Sequence, residues 1–387
     1  MKITKITPYA IDGGFRYWIF CKIETDEGIY GWGDGSDWDA PFTVTEAIKY
    51  LGQFLIGEDP MDIERIWWLN VGHYRRMWGG IAWKAMAAID TALWDIKGKA
   101  LGVPVYELLG GKMRDKLRLY WTHCGTGRTG KFAKLNDKPE IRTLKDLEDF
   151  AKIVRDSGYT ACKTNIMELE ELSMNEEYVK GVHSANITHN TLHGMEAIVG
   201  TFRDVCGPDF DIAVDVAFEF KYGATKQLAR TLEPYKLMWL ETETFDVDAQ
   251  YELMNCSRTP IVHGESLYDI HGFKPYFMRH CQDGMMVDLA WNGLTMGRKI
   301  ADLGLAFETH MSPHNCHSPL TSFVAAHFCA AIRNFLILEL DVDDVPYRDE
   351  ILTTPIKIEN GHMIVPEAPG LGTDMNMEAL EKYAVKA

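Results

Sequence analysis

From residue 117 onward the chain repeats one rhythm: a short apolar run, then helix-length material, then another short apolar run. Eight such runs can be marked, at Leu117–Thr122, Thr160–Asn165, Asp211–Ala217, Leu237–Glu241, Pro260–Gly264, Met285–Leu289, Leu305–His310 and Phe335–Leu340. Runs of this length, separated by 3.6-period stretches, predict parallel strands joined by helical crossovers. Eight of them favour a (β/α)-barrel over a doubly wound open sheet. A dinucleotide fold is disfavoured because no G-x-G-x-x-G follows a strand, and Gly110-Gly111-Lys112 lacks the upstream glycine of a P-loop.

The first ~115 residues read differently, with strands first and helices after, as in an α+β unit. Tyr17–Ile23 and Ile29–Trp32 flank the turn Thr25-Asp26-Glu27-Gly28, and helices are predicted near 43–56, 61–70 and 81–100. In the last of these Ala85, Ala88, Ile89, Ala92, Leu93 and Ile96 recur at helical spacing, before Gly102 and Pro104 end it. The expected division is a cap over 1–116, a barrel over 117–340, and a segment over 341–387 that returns to the cap.

The chemistry is carried by a register. Asp215, Glu241 and Glu265 sit at or just past the ends of successive strands, 26 and 24 residues apart, and Asp288, His314 and Glu339 continue the series. Barrel active sites are built at strand C-termini. Three carboxylates that converge there cannot all stay charged unless a cation neutralises them. An all-oxygen set suits a hard ion, Mg²⁺ first and Mn²⁺ second. Lys163 and Asn165, two apart on the second strand, project to the same face and so into the same mouth. His314 stands across from Lys163, where Asp288 could orient its ring. His310, His314 and His317 form an alternative transition-metal set. Residues 168–194 read as an insertion and a candidate lid, and His183, His189 and His193 within it as loop histidines.

Charge narrows the partners. With 40 basic and 56 acidic residues the net charge is -16, which argues against nucleic acid and against an anionic membrane surface. No stretch is long and apolar enough to span a bilayer and no signal peptide is visible. The eight cysteines form no C-x-x-C pair, so a reducing, cytoplasmic setting is expected; a homo-oligomer is a separate expectation.

Longer motifs add a resemblance. MKITKIT, KIETDEG, GWGDG, AAIDTALWDIKGKALGVPVYELLGG and the closing PGLG are similar to the mandelate racemase subgroup of the enolase superfamily. Within it they resemble the acid-sugar dehydratases of the galactonate dehydratase type. The resemblance spans essentially the whole chain. It implies an α+β capping domain on a modified (β/α)₇β barrel and a hydro-lyase acting on a small carboxylate sugar. It implies Asp215, Glu241 and Glu265 as Mg²⁺ ligands, Asp288–His314 as the dyad, Glu339 as the last-strand acid, and Lys163/Asn165 as a K-x-N form of the second-strand motif. The departures also count. Asn165 stands where racemases have a second lysine. Ala217 replaces the histidine that galactonate dehydratases carry two residues after the first metal ligand. Thr242-Glu243 replaces Glu-Pro, and Trp291-Asn292-Gly293 replaces a glycine run.

These residues suggest α-proton abstraction by His314, with Mg²⁺, Lys163 and, if it is protonated, Glu339 stabilising the enediolate, then loss of the β-hydroxyl to give a 2-keto-3-deoxy acid. His314 would also deliver the proton to the leaving hydroxide, making the elimination syn. Arg16, Tyr17, Trp18, Arg75, Arg76, Trp78 and Trp291 are the substrate-contact candidates. Epimerisation or lactone cycloisomerisation through the same intermediate is the alternative, and an inactive binding protein the remaining one.

Overall fold

The computed structural model describes residues 1–172 and 187–386. Strands β1 (Ile3–Asp12), β2 (Tyr17–Thr25) and β3 (Tyr30–Asp34) form an antiparallel sheet in that order. Helices α1 (Pro41–Gly52), α2 (Ile63–Tyr74) and α3 (Gly80–Leu101) follow. Helix α3 is buried over most of its circumference, because it lies between β3 and the barrel. Close approach to β3 requires glycine: a Cβ on Gly33 would stand 1.8 Å from the Ala88 carbonyl oxygen.

The eight barrel strands are β4 (Lys116–Thr122), β5 (Ala161–Thr164), β6 (Asp211–Asp215), β7 (Trp239–Glu241), β8 (Ile261–His263), β9 (Gly284–Met285), β10 (His310–Met311) and β11 (Leu338–Asp341). They pair in parallel from β10 down to β4, and β11 joins the far side of β4. Closure is completed where Met311 bridges Phe335 and accepts a 3.0 Å hydrogen bond from the Leu336 N–H. Among the described residues seven helices of eight residues or more fill the crossovers, and β11 is followed only by a 3₁₀ turn and the short helix Met377–Lys382, so the barrel is (β/α)₇β. Six of the eight predicted runs overlap a strand by two residues or more, and Met285–Leu289 shares only Met285 with its strand because the chain enters the next helix at Leu289. The run Leu305–His310 is corrected: Leu305 and Ala306 end the helix Leu289–Ala306, and the strand begins only at His310.

The chain after β11 turns back. A hairpin of β12 (Ile358–Glu359) and β13 (His362–Ile364) adds to β4. Its Asn360-Gly361 corner has both residues at positive φ, as a tight two-residue hairpin turn demands. The Leu371 N–H donates to Asp95 Oδ1 of α3 at 2.8 Å, and Ala384 bridges Ile11 of β1. The two chain ends therefore meet in one capping layer.

Inside the barrel, strand alternation stacks two layers. Tyr120, Ala161, Ala213, Trp239, Val262, Met286 and Ile337 form a dry plug. Two residues further along the same strands come Thr122, Lys163, Asp215, Glu241, Asp288 and Glu339. The polar layer is thus held over an apolar floor at the C-terminal mouth.

Candidate active site at the barrel mouth

Lys163 is the centre of the polar layer. Its Nζ lies 2.8 Å from Glu241 Oε2, 2.8 Å from Glu339 Oε1 and 3.7 Å from Asp215 Oδ2. Burial opposes its charge, but Glu241 and Glu339 outweigh that and raise its affinity for the proton well above the ordinary lysine value. Asn165 Nδ2 donates to the carbonyl and to Oδ2 of Asp215, both at 3.2 Å. The Ala217 N–H holds the other oxygen of Asp215 at 2.8 Å. Asp215 is therefore oriented by two neighbours before any ligand arrives.

The carboxylates are crowded. Burial, and then repulsion from Asp215, Glu265 and Glu339 against the pull of Lys163, pushes Glu241 well above the usual range. Glu265 is pushed up to about 8 by burial and by Asp215 and Glu243, despite His314. Glu241 Oε1 is buried and lacks a hydrogen-bond partner. A buried acceptor with no donor, in an acid cluster that resists ionisation, is the environment a divalent cation satisfies. The donor chemistry of Asp215, Glu241 and Glu265 suits a hard ion, although among the described residues these three do not bring their ligand atoms within 4.8 Å of one another.

Glu339 does not meet the condition of protonation. Burial opposes its ionisation, but Lys163 and then His314 hold its carboxyl well below the usual range, and the Asn315 N–H donates to Oε2 at 2.7 Å. It is an ion-pair acceptor, not a protonated acid.

On the opposite side His314 Nδ1 lies 2.6 Å from Asp288 Oδ2. Asp288 is fully buried, caps the helix Leu289–Ala306 through the Trp291 N–H at 3.0 Å, and receives His317 Nε2 at 2.7 Å on the same oxygen. Burial opposes its charge, yet His317 and His314 bring it down to about 2. His314 Nε2 is turned the other way, 3.4 Å from Glu265 Oε2 and 3.2 Å from Cys316 Sγ. Burial works against protonation of His314, but Cys316, Glu265 and Asp288 raise its proton affinity well above the ordinary value. A ring fixed at Nδ1 and offering Nε2 to the mouth is the geometry of a general base.

The sequence-chosen residues fall into three groups. Lys163, Asn165, Asp215, Glu241, Glu265, Asp288, His314 and Glu339 converge. Trp291 joins them, its ring 5.7 Å from that of His314 and 5.4 Å from that of His317, with Nε1 donating to the Ser36 carbonyl at 3.0 Å and Lys84 Nζ 4.2 Å above it. Arg16 is fully buried, ion-paired with Asp341, and its charge reaches Cys316. Trp18 and Arg75 lie elsewhere. Trp18 is wholly buried in the cap core against Tyr347, and Arg75 and Arg76 are exposed at the end of α2. Trp78 is half exposed beside Trp83 and His271. Cys316 and Asn315 are not among the sequence-chosen residues, and His317 is there only as a member of the alternative histidine metal set. The run His-Asn-Cys-His from His314 was their signal, since it puts four polar side chains on one loop at a strand end. Asp288, His314 and His317 also hold ligand atoms within 4.8 Å of one another, as do His314, Cys316 and Glu339. His310 stands apart from both groups and is exposed. Of the expected insertion, residues 173–186, His183 among them, lie outside the described residues. His189 and His193 belong to the helix His189–Cys206.

A capped (β/α)₇β barrel with acids, a lysine and an Asp–His dyad at its mouth defines an enolase-type enzyme. Family comparison agrees. Residues 15–110 match the mandelate racemase/muconate lactonizing enzyme N-terminal domain, and residues 146–379 match the enolase C-terminal domain-like family. The chain belongs to this family, the mandelate racemase subgroup of the enolase superfamily. It is 31% identical to D-xylonate dehydratase of Haloferax volcanii, covering all of this chain and 89% of the relative. It is 32% identical to D-galactonate dehydratase of Pectobacterium atrosepticum, over 98% of this chain and 93% of that one. Among solved structures, a candidate L-alanine-DL-glutamate epimerase of Burkholderia xenovorans, bound to magnesium and fumarate, superposes with a TM-score of 0.95 at 33% identity, over 100% and 97% of the two chains. The 3,6-anhydro-D-galactonate cycloisomerase of Zobellia galactanivorans superposes with a TM-score of 0.84 at 29% identity, over the full length of both.

Proposed function

We propose that this protein is an acid-sugar dehydratase, a hydro-lyase that removes the proton α to the carboxylate of an aldonate or aldarate and expels the β-hydroxyl to give a 2-keto-3-deoxy acid. The observation that carries the reading is the pair of opposed groups at the mouth. His314 is braced at Nδ1 by Asp288 and turns Nε2, where it can hold a proton, toward Glu265 and Cys316. Lys163 is held charged between Glu241 and Glu339.

Asp215, Glu241 and Glu265 would hold Mg²⁺, with Mn²⁺ as a substitute. Bound there, the ion supplies positive charge to the substrate carboxylate and so makes the α-proton more acidic. The chain does the rest. His314 accepts the α-proton at Nε2, and Asp288 stabilises the imidazolium that results. Lys163 offers a fixed cation to the developing enediolate. Asn165 keeps Asp215 aimed, and Trp291 walls the mouth beside His314. Arg16, from the cap, contributes charge on the side of Cys316.

An epimerase needs a second base on the opposite face. Lys163 is locked in two ion pairs and Asn165 is an amide, so neither is a free base. This favours elimination over epimerisation or cycloisomerisation. Among the described residues no helix is long and apolar enough to cross a membrane. A cytoplasmic location is part of the same reading. The exposed Phe42 and Tyr50 on α1, Phe54 in the turn after it and Trp68 on α2 support a homo-oligomer, which light scattering tests.

The deciding experiment is a screen of aldonic and aldaric acids with Mg²⁺ for 2-keto product, read by proton NMR. A new methylene signal supports dehydration. Inversion without a methylene signal would replace the reading with epimerisation.

A further inference from the structure

We propose that Cys316 is the general acid of the elimination, giving its proton to the departing β-hydroxyl while His314 takes the α-proton, and that contact between the two side chains then resets both. The inference rests on the dehydratase reading above. Elimination of hydroxide needs a proton donor, because hydroxide is a poor leaving group.

The usual donors are missing or engaged. Ala217 and Asn165 carry no acidic proton. Lys163 is bound to its proton by Glu241 and Glu339. The Tyr120 hydroxyl lies in the apolar plug one layer below. The Glu339 carboxylate accepts from Lys163 and Asn315 and has no proton to give. Cys316 remains. It is 2% exposed, in the loop after β10, with Sγ 3.2 Å from His314 Nε2, the nitrogen turned away from Asp288. Burial keeps its thiol protonated at rest against the pull of His314. Arg16, whose Nε and Nη1 are buried and unpartnered, lies near enough for its charge to favour the thiolate.

The step balances without any added reagent. His314 Nε2 takes the α-proton, and the C–H electron pair becomes the enediolate. The β C–O bond breaks with its pair on oxygen, which takes the proton of Cys316 and leaves as water. A thiolate and an imidazolium then stand side by side. The proton passes from Nε2 to Sγ, and both groups regain their starting forms. Both transfers occur on one face, so the elimination is syn, with the proton delivery moved from His314 to its neighbour.

The test uses the full-length Mg²⁺-loaded enzyme and an acid sugar that the wild type dehydrates. Cys316→Ala is expected to lose dehydration by on the order of 10²–10⁴-fold while still exchanging the α-proton with deuterated solvent. It should also expel fluoride from the matching β-fluoro acid at close to the wild-type rate, since fluoride leaves without a proton. Cys316→Ser, a weaker acid of the same shape, should behave like the alanine variant. Undiminished dehydration by Cys316→Ala would overturn the proposal. So would parallel loss of exchange and fluoride release, which would make Cys316 a support for His314. If the wild type itself yields no 2-keto product from any acid sugar, the dehydratase reading fails, and this proposal with it.

Discussion

Asp288 Oδ2 receives His314 Nδ1 at 2.6 Å, and the same carboxylate caps the helix that carries Trp291. One side chain therefore fixes the tautomer of the base and the position of the wall beside it. Asp288→Asn keeps the shape but offers an amide donor where a lone pair is needed. Activity should fall by on the order of 10³-fold or more, with α-proton exchange lost in parallel. Retention of exchange would show that His314 is oriented by something else.

His314→Asn removes the base and leaves the carboxylates intact. Dehydration and exchange of the α-proton with solvent deuterium should both vanish, while Mg²⁺ should still raise the melting temperature. Surviving exchange would assign the base to another residue.

Burial and its neighbouring acids hold Glu241 well above the usual carboxylate range, and its Oε1 has no donor. A ligand that binds only the folded state stabilises it by mass action. Mg²⁺ should therefore raise the melting temperature of the wild type, and Glu241→Gln should abolish that rise. The metal-free variant should unfold no earlier than the metal-free wild type, because a carboxylate that repels its neighbours has been removed. Calorimetry with and without Mg²⁺ reads both effects.

Much of this site was legible in the chain because strand geometry is regular. Residues two apart on a strand share a face. Ala161/Lys163, Ala213/Asp215, Trp239/Glu241 and Ile337/Glu339 therefore announce a dry layer under a charged one. The strand β10 was misplaced because it has only two residues, and the apolar run before it belongs to the end of a helix. The pairing of Arg16 with Asp341 joins residues 325 positions apart, and no local pattern encodes it. The ionised state of Glu339 depends on Lys163 meeting it across the barrel, which spacing alone does not disclose. Cys316 and His317 gain their places from the fold-back of one loop, so their partners appear only in three dimensions.

Trp291 fills the space between the cap and the dyad, donating to the Ser36 carbonyl and lying under Lys84. Trp291→Phe keeps most of the packing and loses one hydrogen bond, a change of about 1 kcal/mol. The melting temperature should drop by only about 1 °C, which is what that energy implies for a chain of this size. The ratio of kcat/KM between acid sugars of different length should shift at the same time. An unchanged ratio would remove Trp291 from the substrate wall.

The interface between cap and barrel carries its own pH dependence. Asp90 of α3 is fully buried and receives the N–H of Thr295 at 2.9 Å and its hydroxyl, while a Cβ on Gly293 would approach Asp90 Oδ2 to 2.6 Å. Burial, against the hydrogen bonds from Thr295, pushes its carboxyl up to about 7. In the unfolded chain the same group ionises near pH 4. Between those values the folded state binds a proton that the unfolded state has released, so stability contributed here is full below about pH 4 and declines toward pH 7. The decline is on the order of 4 kcal/mol across that window. Asp90→Asn cannot ionise, and its stability curve should be flatter than that of the wild type from pH 4 to 7. Urea titrations at a series of pH values measure the slope, and identical slopes for the two proteins would exclude Asp90 as its source.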